Sequence, residues 1–206
     1  MTSRAGLAKR TLDLTLAGLG VVVLSPLLAA VAASVALDSP GPVFFRQVRV
    51  GRGFRPFRII KFRTMVEDAA RRGGPLSIGA DPRVTRIGRW LRRLKLDELP
   101  QLFNVLAGDM SLVGPRPEVP EYVERYRADY ADILTVRPGM TDLASLKYRD
   151  ESALLAAAAD PGAEYVRVIL PDKIRLAREY VRRSSVLFDL SLILRTLGAV
   201  VGGRPQ

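Results

Sequence analysis

The chain has 206 residues, no cysteine, no histidine and a formal net charge of +11. Its length allows one domain with a real core, or a small domain with a membrane anchor, and its charge implies an anionic partner: nucleic acid, an acidic membrane surface or a phosphate-rich substrate. Without Cys or His there is no disulfide framework, no thiolate or imidazole metal site and no Ser-His-Asp or Cys-His chemistry. This leaves Asp, Glu, Lys, Tyr and Arg as actors, an oxygen-ligated Mg²⁺ or Mn²⁺ as any metal, and a cytoplasmic setting.

Residues 14–37 contain no charged side chain. As a straight helix this stretch would be roughly 36 Å long, enough to cross a bilayer's hydrocarbon core. Two details argue against a simple span. Ser25-Pro26 lies at its middle, where proline removes a backbone donor and predicts a bend. Arg4, Lys9 and Arg10 precede it, while Arg46, Arg49, Arg52, Arg55 and Arg58 follow it, so the positive-inside rule wants both ends on the cytoplasmic side. A helix that enters, kinks at Ser25 and Pro26 and returns to the same face meets both demands. A basic start, an apolar stretch and alanines over 29–36 also resemble a secretory signal, but the apolar stretch is long for one. Asp38-Ser39-Pro40-Gly41-Pro42 reads as the turn that ends the element.

Residues 43–50 and 54–62 are rich in Val, Ile and Phe and flank Gly51-Arg52-Gly53, which predicts a β-hairpin. Its second arm runs into Lys61-Phe62-Arg63-Thr64-Met65, and strand alternation puts Lys61 and Arg63 on one face, where they meet either solvent or a diphosphate. Residues 67–74 read as a short polar helix and 73–82 as a loop. Over 84–96, Ile87, Leu91 and Leu94 recur at helical spacing with five cations around them, a basic amphipathic helix.

Asp97-Glu98 comes next, ahead of a helix predicted over 99–106 and closed by Gly108. Gly114-Pro115-Arg116-Pro117 then holds an arginine between prolines. A carboxylate nucleophile or metal ligand ahead of a helix, with a rigid guanidinium nearby, suits phosphoryl transfer; alone, Asp97 also reads as an ordinary helix cap. Helices are further predicted over 121–134, 154–159 and 171–183. Residues 184–201 read as a core helix or a second membrane-contacting one.

These motifs together resemble the bacterial sugar transferases called monotopic phosphoglycosyl transferases, over nearly the whole chain. The matching residues are the basic start with Ser25-Pro26, Lys61 to Met65, Arg92 through Asp97-Glu98 to Val105, Gly108 to Pro117, Arg137-Pro138-Gly139, and Tyr180 through Asp189 to Thr196. The resemblance implies transfer of a sugar-1-phosphate from a UDP-sugar to undecaprenyl (polyprenyl) phosphate, with release of UMP. The implied route is ping-pong, with Asp97 as nucleophile and a covalent phosphosugar intermediate. It gives Glu98 two open roles, metal binding or deprotonation of the incoming lipid phosphate, and makes Asp97 and Glu98 the expected Mg²⁺ (or Mn²⁺) ligands. Arg116 matches a phosphate-binding arginine; Lys61, Arg63 and Arg149 are further candidates for substrate charge.

The resemblance also implies a monotopic protein on the cytoplasmic face of the bacterial inner membrane, in contact with membrane lipid and without the extra N-terminal membrane helices of larger relatives. Where the family usually shows Pro-Gly-Ile-Thr-Gly-Leu, this chain has Asp142 after Thr141; if the glycine takes a positive φ, aspartate replaces it at modest cost. The expected architecture is α+β and mainly helical: a re-entrant helix over 1–38, then a catalytic domain over 39–206 with a β-hairpin and amphipathic interfacial helices around one active site. The rival reading is a non-catalytic protein that binds polyprenyl phosphate or acidic lipid. Nothing in the chain resembles a nucleic-acid recognition helix or aromatic platform, so no nucleic-acid partner is expected.

Overall fold

The computed structural model describes residues 3–74 and 76–202; Pro75 of the expected loop, the side chain of Arg4 and residues 203–206 of the expected catalytic domain lie outside the described residues. The chain is mainly helical. A helix α1 (Ser3–Asp38) leads into β1 (Phe44–Val50) and β2 (Pro56–Phe62), then α2 (Ala69–Arg72), α3 (Arg86–Arg93), α4 (Gln101–Ala107) and β3 (Ser111–Val113). There follow α5 (Pro120–Arg125), α6 (Arg127–Ile133), β4 (Gly139–Thr141), α7 (Leu143–Lys147), α8 (Glu151–Ala156), α9 (Pro161–Glu164), α10 (Leu170–Arg183) and α11 (Val186–Gly202).

Helix α1 runs through Pro26. Proline cannot donate to the carbonyl four residues back, and the Ser25 hydroxyl donates to that carbonyl, Val22 O, at 2.8 Å instead. One face of α1 packs inward along its length through Asp13, Ala17, Val31 and Val35, while Leu7, Leu19, Val22, Val23 and Leu37 stay exposed on the other. Polar contacts hold both ends against the rest of the molecule. Near the start, Lys9 Nζ donates to Val113 O at 2.9 Å and Asp189 Oδ2 at 2.5 Å, Arg10 Nη1 to Val105 O at 2.8 Å, and Asp13 Oδ1 accepts from Ser111 Oγ and Leu112 N, both at 3.0 Å. Near the end, Asp38 Oδ2 accepts from Ile87 N at 3.1 Å.

Strands β1 and β2 pair antiparallel from Phe44 opposite Phe62 to Val50 opposite Pro56, and β3 pairs with β4 in parallel. The latter contact is close: a Cβ on Gly139 would sit 2.0 Å from Gly114 N, so only glycine lets the two backbones meet. The largest apolar cluster joins α5, α6, α8 and α10 through Tyr122, Ile133, Leu155, Leu170 and Ile174. A second fills the space between α1, β2 and α4 with Ala17, Ile59, Leu102, Val105 and Met110, and a third joins Val31 and Val35 of α1 to Phe62 and Leu91. Helix α1 is therefore part of the core as well as an apolar surface.

The helix expected over 121–134 divides into α5 and α6 at Tyr126, whose backbone leaves helical angles (φ −117°, ψ 35°) and whose hydroxyl donates to Val166 O at 2.9 Å. A tertiary bond there overrides a continuous helical period.

Candidate active site

Between α3 and α4 the chain makes a single 3₁₀ turn, Leu96–Glu98, entered through Lys95 in the left-handed region (φ 57°). The turn presents Asp97 and Glu98 to two other segments. From β2 comes Lys61, whose Nζ donates to Glu98 Oε1 at 2.9 Å. From the loop after β3 comes Arg116, whose Nη1 and Nη2 donate to Glu98 Oε2 at 3.1 Å and Oε1 at 2.5 Å. Glu98 is thus the meeting point of two cations from segments distant in sequence.

Buried Asn104 ties β2 to the helix that follows the carboxylates. On α4, its Oδ1 accepts from Ile60 N at 2.9 Å and its Nδ2 donates to Arg58 O at 2.8 Å, fastening β2 beside the carboxylates. Sequence pattern alone gives Asn104 no role; its position one turn inside an apolar helix is the signal that marks it. Arg92 lies on the other side, held by Thr64 Oγ1 at 2.9 Å and Ser77 Oγ at 2.7 Å, close enough to favour ionisation of Asp97.

The two carboxyl groups are in opposite electrical situations. Asp97 is 8 % exposed, and its Oδ1 is buried with no hydrogen-bond partner; it caps neither helix. Burial raises its pKa above the ordinary aspartate value, opposed by Lys61 and reinforced by Glu98. Burial also works against ionisation of Glu98, but the charges of Arg116 and Lys61 and their hydrogen bonds outweigh it and hold Glu98 well below the usual carboxylate range. In return Glu98 raises the pKa of Arg116, while burial lowers that of Lys61. Gln101, four residues after Asp97, is fully buried, and neither its Oε1 nor its Nε2 has a partner. On a helical backbone that spacing puts both unpartnered groups on one face.

The structure brings together Asp97, Glu98, Lys61 and Arg116, but not Arg63 or Arg149. Arg63 lies just beyond β2, where strand alternation no longer dictates direction. Its Nη2 turns to the end of α1 and donates to Ser39 O at 2.5 Å and Val35 O at 3.3 Å. Arg149 donates through Nη1 to Ala199 O in the last turns of α11. Among the described residues no group of three or more acidic side chains forms a ready metal cage.

The chain as a whole has counterparts among known proteins. The family described as bacterial sugar transferase matches residues 4–203. The chain belongs to that family. It is similar to UDP-N-acetylgalactosamine-undecaprenyl-phosphate N-acetylgalactosaminephosphotransferase of Aeromonas hydrophila, 38% identical over 198 residues, 95% of this chain and 44% of the relative. It is 41% identical over 210 residues to undecaprenyl-phosphate glucose phosphotransferase of Komagataeibacter xylinus, covering 93% of this chain and 35% of that protein. It is also 41% identical over 201 residues to UDP-glucose:undecaprenyl-phosphate glucose-1-phosphate transferase of Caulobacter vibrioides, covering 95% and 70%. The chain thus spans less than half the length of the first two relatives. Asp142, expected as a substitute for a positive-φ glycine, has a φ of −159°, extended backbone that any residue adopts, so left-handed strain does not account for it. Its carboxylate instead accepts from Ser145 N at 2.6 Å and Arg116 N at 3.1 Å.

Proposed function

We propose that this sugar transferase moves a sugar-1-phosphate from a UDP-sugar to undecaprenyl (polyprenyl) phosphate and releases UMP. The observation that carries the reading is the unpartnered Asp97 oxygen beside a neighbouring glutamate clamped by Lys61 and Arg116. The names of the relatives give the general reaction and two kinds of sugar, glucose and N-acetylgalactosamine.

In the proposed first step an Asp97 oxygen attacks the phosphorus that bears the sugar. A carboxylate–phosphorus bond forms, the bridging P–O bond breaks, and its electron pair leaves with UMP. In the second step an oxygen of polyprenyl phosphate attacks the same phosphorus, the bond to Asp97 breaks, and the carboxylate is regenerated. Burial strips the Asp97 oxygen of solvent and of competing donors. The cost is an anion approaching an anion, which Lys61, Arg92 and Arg116 offset by placing positive charge where the diphosphate would lie.

Both oxygens of Glu98 are engaged by Lys61 and Arg116, which leaves neither free to take a proton from substrate. Glu98 acts here as a placeholder for phosphate, keeping Lys61 and Arg116 converged until substrate oxygens replace it. Carboxylate oxygens are hard donors that suit Mg²⁺ or Mn²⁺, which keep most of their ligands as water and substrate phosphate. Asp97, with Glu98 beside it, would hold the ion. Bound there, the ion would neutralise diphosphate charge.

The second substrate would come from the bilayer. Support for a re-entrant α1, bent at Ser25 and Pro26 and placed on the cytoplasmic face of the inner membrane, lies in its two ends: Lys9, Arg10 and Asp13 at one and Asp38 at the other are bonded to the same body. A helix crossing the membrane would carry one end away. UMP release by the detergent-purified protein with Mg²⁺, undecaprenyl phosphate and a panel of UDP-sugars tests the reading. Release that needs the lipid phosphate and disappears in Asp97→Asn supports it. Release that persists in Asp97→Asn removes the covalent route, and no release with any donor leaves the lipid-binding reading.

A further inference from the structure

In Pro115-Arg116-Pro117 neither proline has a backbone N–H, so the amide of Arg116 is the one donor by which this triplet can be tied through its own N–H groups. Asp142, 2 % exposed, takes that donor: its Oδ2 accepts from Arg116 N at 3.1 Å. Its Oδ1 meanwhile accepts from Ser145 N at 2.6 Å, capping α7. The surrounding backbone is already joined, with Gly139 N donating to Pro115 O at 3.0 Å and Gly114 N to Thr141 O at 3.1 Å. Those bonds fix the strands, and the Asp142 bond fixes the peptide that carries the guanidinium.

We infer that Asp142 is a positioning residue that aims the Arg116 guanidinium by holding its backbone amide to the start of α7. The inference rests on the proposed function of Arg116. A neutral amide cannot do the same work: Asp142→Asn would leave one acceptor oxygen, and the new NH₂ would face one of the two N–H donors. A glycine would leave the Arg116 amide without this acceptor and uncap α7. A serine is the informative replacement, since it caps a helix well but is too short to span both donors.

The test is a double-mutant cycle of Asp142→Ser and Arg116→Ala, read by single-turnover UMP release at high enzyme concentration together with thermal unfolding. If Asp142 acts through Arg116, Asp142→Ser leaves the unfolding temperature near that of the parent and lowers turnover on the order of tenfold, but has no further effect once Arg116 is alanine. An equal fractional loss in both backgrounds overturns the inference. A second readout needs no turnover: in protein labelled with ¹⁵N-arginine, the Arg116 amide, assigned by its disappearance in Arg116→Ala, shifts on Asp142→Ser. An unmoved amide also overturns the inference. Absence of UMP release in the parent with every donor speaks against the proposed function instead, and the amide shift still tests whether Asp142 holds the Arg116 amide.

Discussion

Arg116 grips Glu98 at two points, Nη1 on Oε2 at 3.1 Å and Nη2 on Oε1 at 2.5 Å. A planar guanidinium can make this pair of bonds; an ammonium can make the charge contact but not the fork. The loop is stiffened by the flanking prolines, so the fork is aimed by the backbone and not merely found by a flexible side chain.

Arg116→Lys keeps the charge and loses the fork. Its kcat/KM for the sugar nucleotide is expected to fall on the order of 100-fold, with an unfolding temperature close to the parent's because Lys61 still pairs with Glu98. Steady-state UMP release and thermal unfolding measure the two quantities.

The proposed nucleophile must be ionised to react, so turnover should rise with pH through the Asp97 pKa, with the acid limb above the ordinary aspartate range. Lys61→Met removes a charge that favours the ionised form and should move that limb to higher pH; Glu98→Gln removes a like charge and should move it lower. A limb that neither variant moves belongs to another group. The stability effect has the opposite sense. A raised folded-state pKa contributes stability below the unfolded pKa, and this is lost as pH rises through the folded value. Above the ordinary aspartate pKa the buried Asp97 is therefore a cost to folding, and Asp97→Asn should unfold at a higher temperature than the parent while releasing no UMP.

Asp189 is almost fully buried and is paired with Lys9 at 2.5 Å and with the Tyr180 hydroxyl at 2.8 Å. Lys9→Met strands that carboxyl, and the loss of stability is expected to be about 3–5 kcal/mol by denaturant unfolding in detergent. Arg178→Met, on a more exposed pair with Asp129, should cost about 1 kcal/mol or less.

Chelation should stop UMP release, and Mg²⁺ or Mn²⁺ should restore it. The far-ultraviolet circular dichroism should stay the same throughout, because no acidic cage among the described residues depends on an ion to neutralise it. Chelation that unfolds the protein would point instead to a structural metal.

Because the chain contains no cysteine, a single introduced one is a unique label. Thr2→Cys and Glu67→Cys should both resist a membrane-impermeant maleimide in intact cells and react after lysis, as expected when both flanks of α1 face the cytoplasm. Labelling of Thr2→Cys from outside would sink the re-entrant reading.

The mainly helical character and the apolar first helix were legible because they depend on local pattern: an uncharged run over 14–37 and helical spacing through Ile87 and Leu91. The site was legible only in part, for a physical reason. Lys61 and Arg116 stand 37 and 18 residues from Glu98, and no local periodicity encodes that convergence; it came from resemblance. Arg63 shares strand parity with Lys61 but belongs to the chain just past the strand, and a carbonyl-rich helix end claimed it. Asp142 could be read from sequence only as a substitute for glycine. Its cap on Ser145 is local, but its bond to the Arg116 amide depends on β3 and β4 lying side by side. Tyr126 interrupts a sound helical period through a single hydroxyl bond to a residue 40 positions away.

Val31 and Val35 of α1 help bury Phe62 and Leu91, Ala17 sits against Leu102 and Val105, and Arg63 holds the carbonyls at its far end. Helix α1 is thus no interchangeable tether. Exchanging it for an unrelated hydrophobic helix, or trimming it to make a soluble fragment, would uncover the strand that carries Lys61 and the helix that follows Asp97. A substitution on the inward face of α1 must therefore answer to the body that carries Asp97 and Glu98 before it answers to whatever meets the outer face.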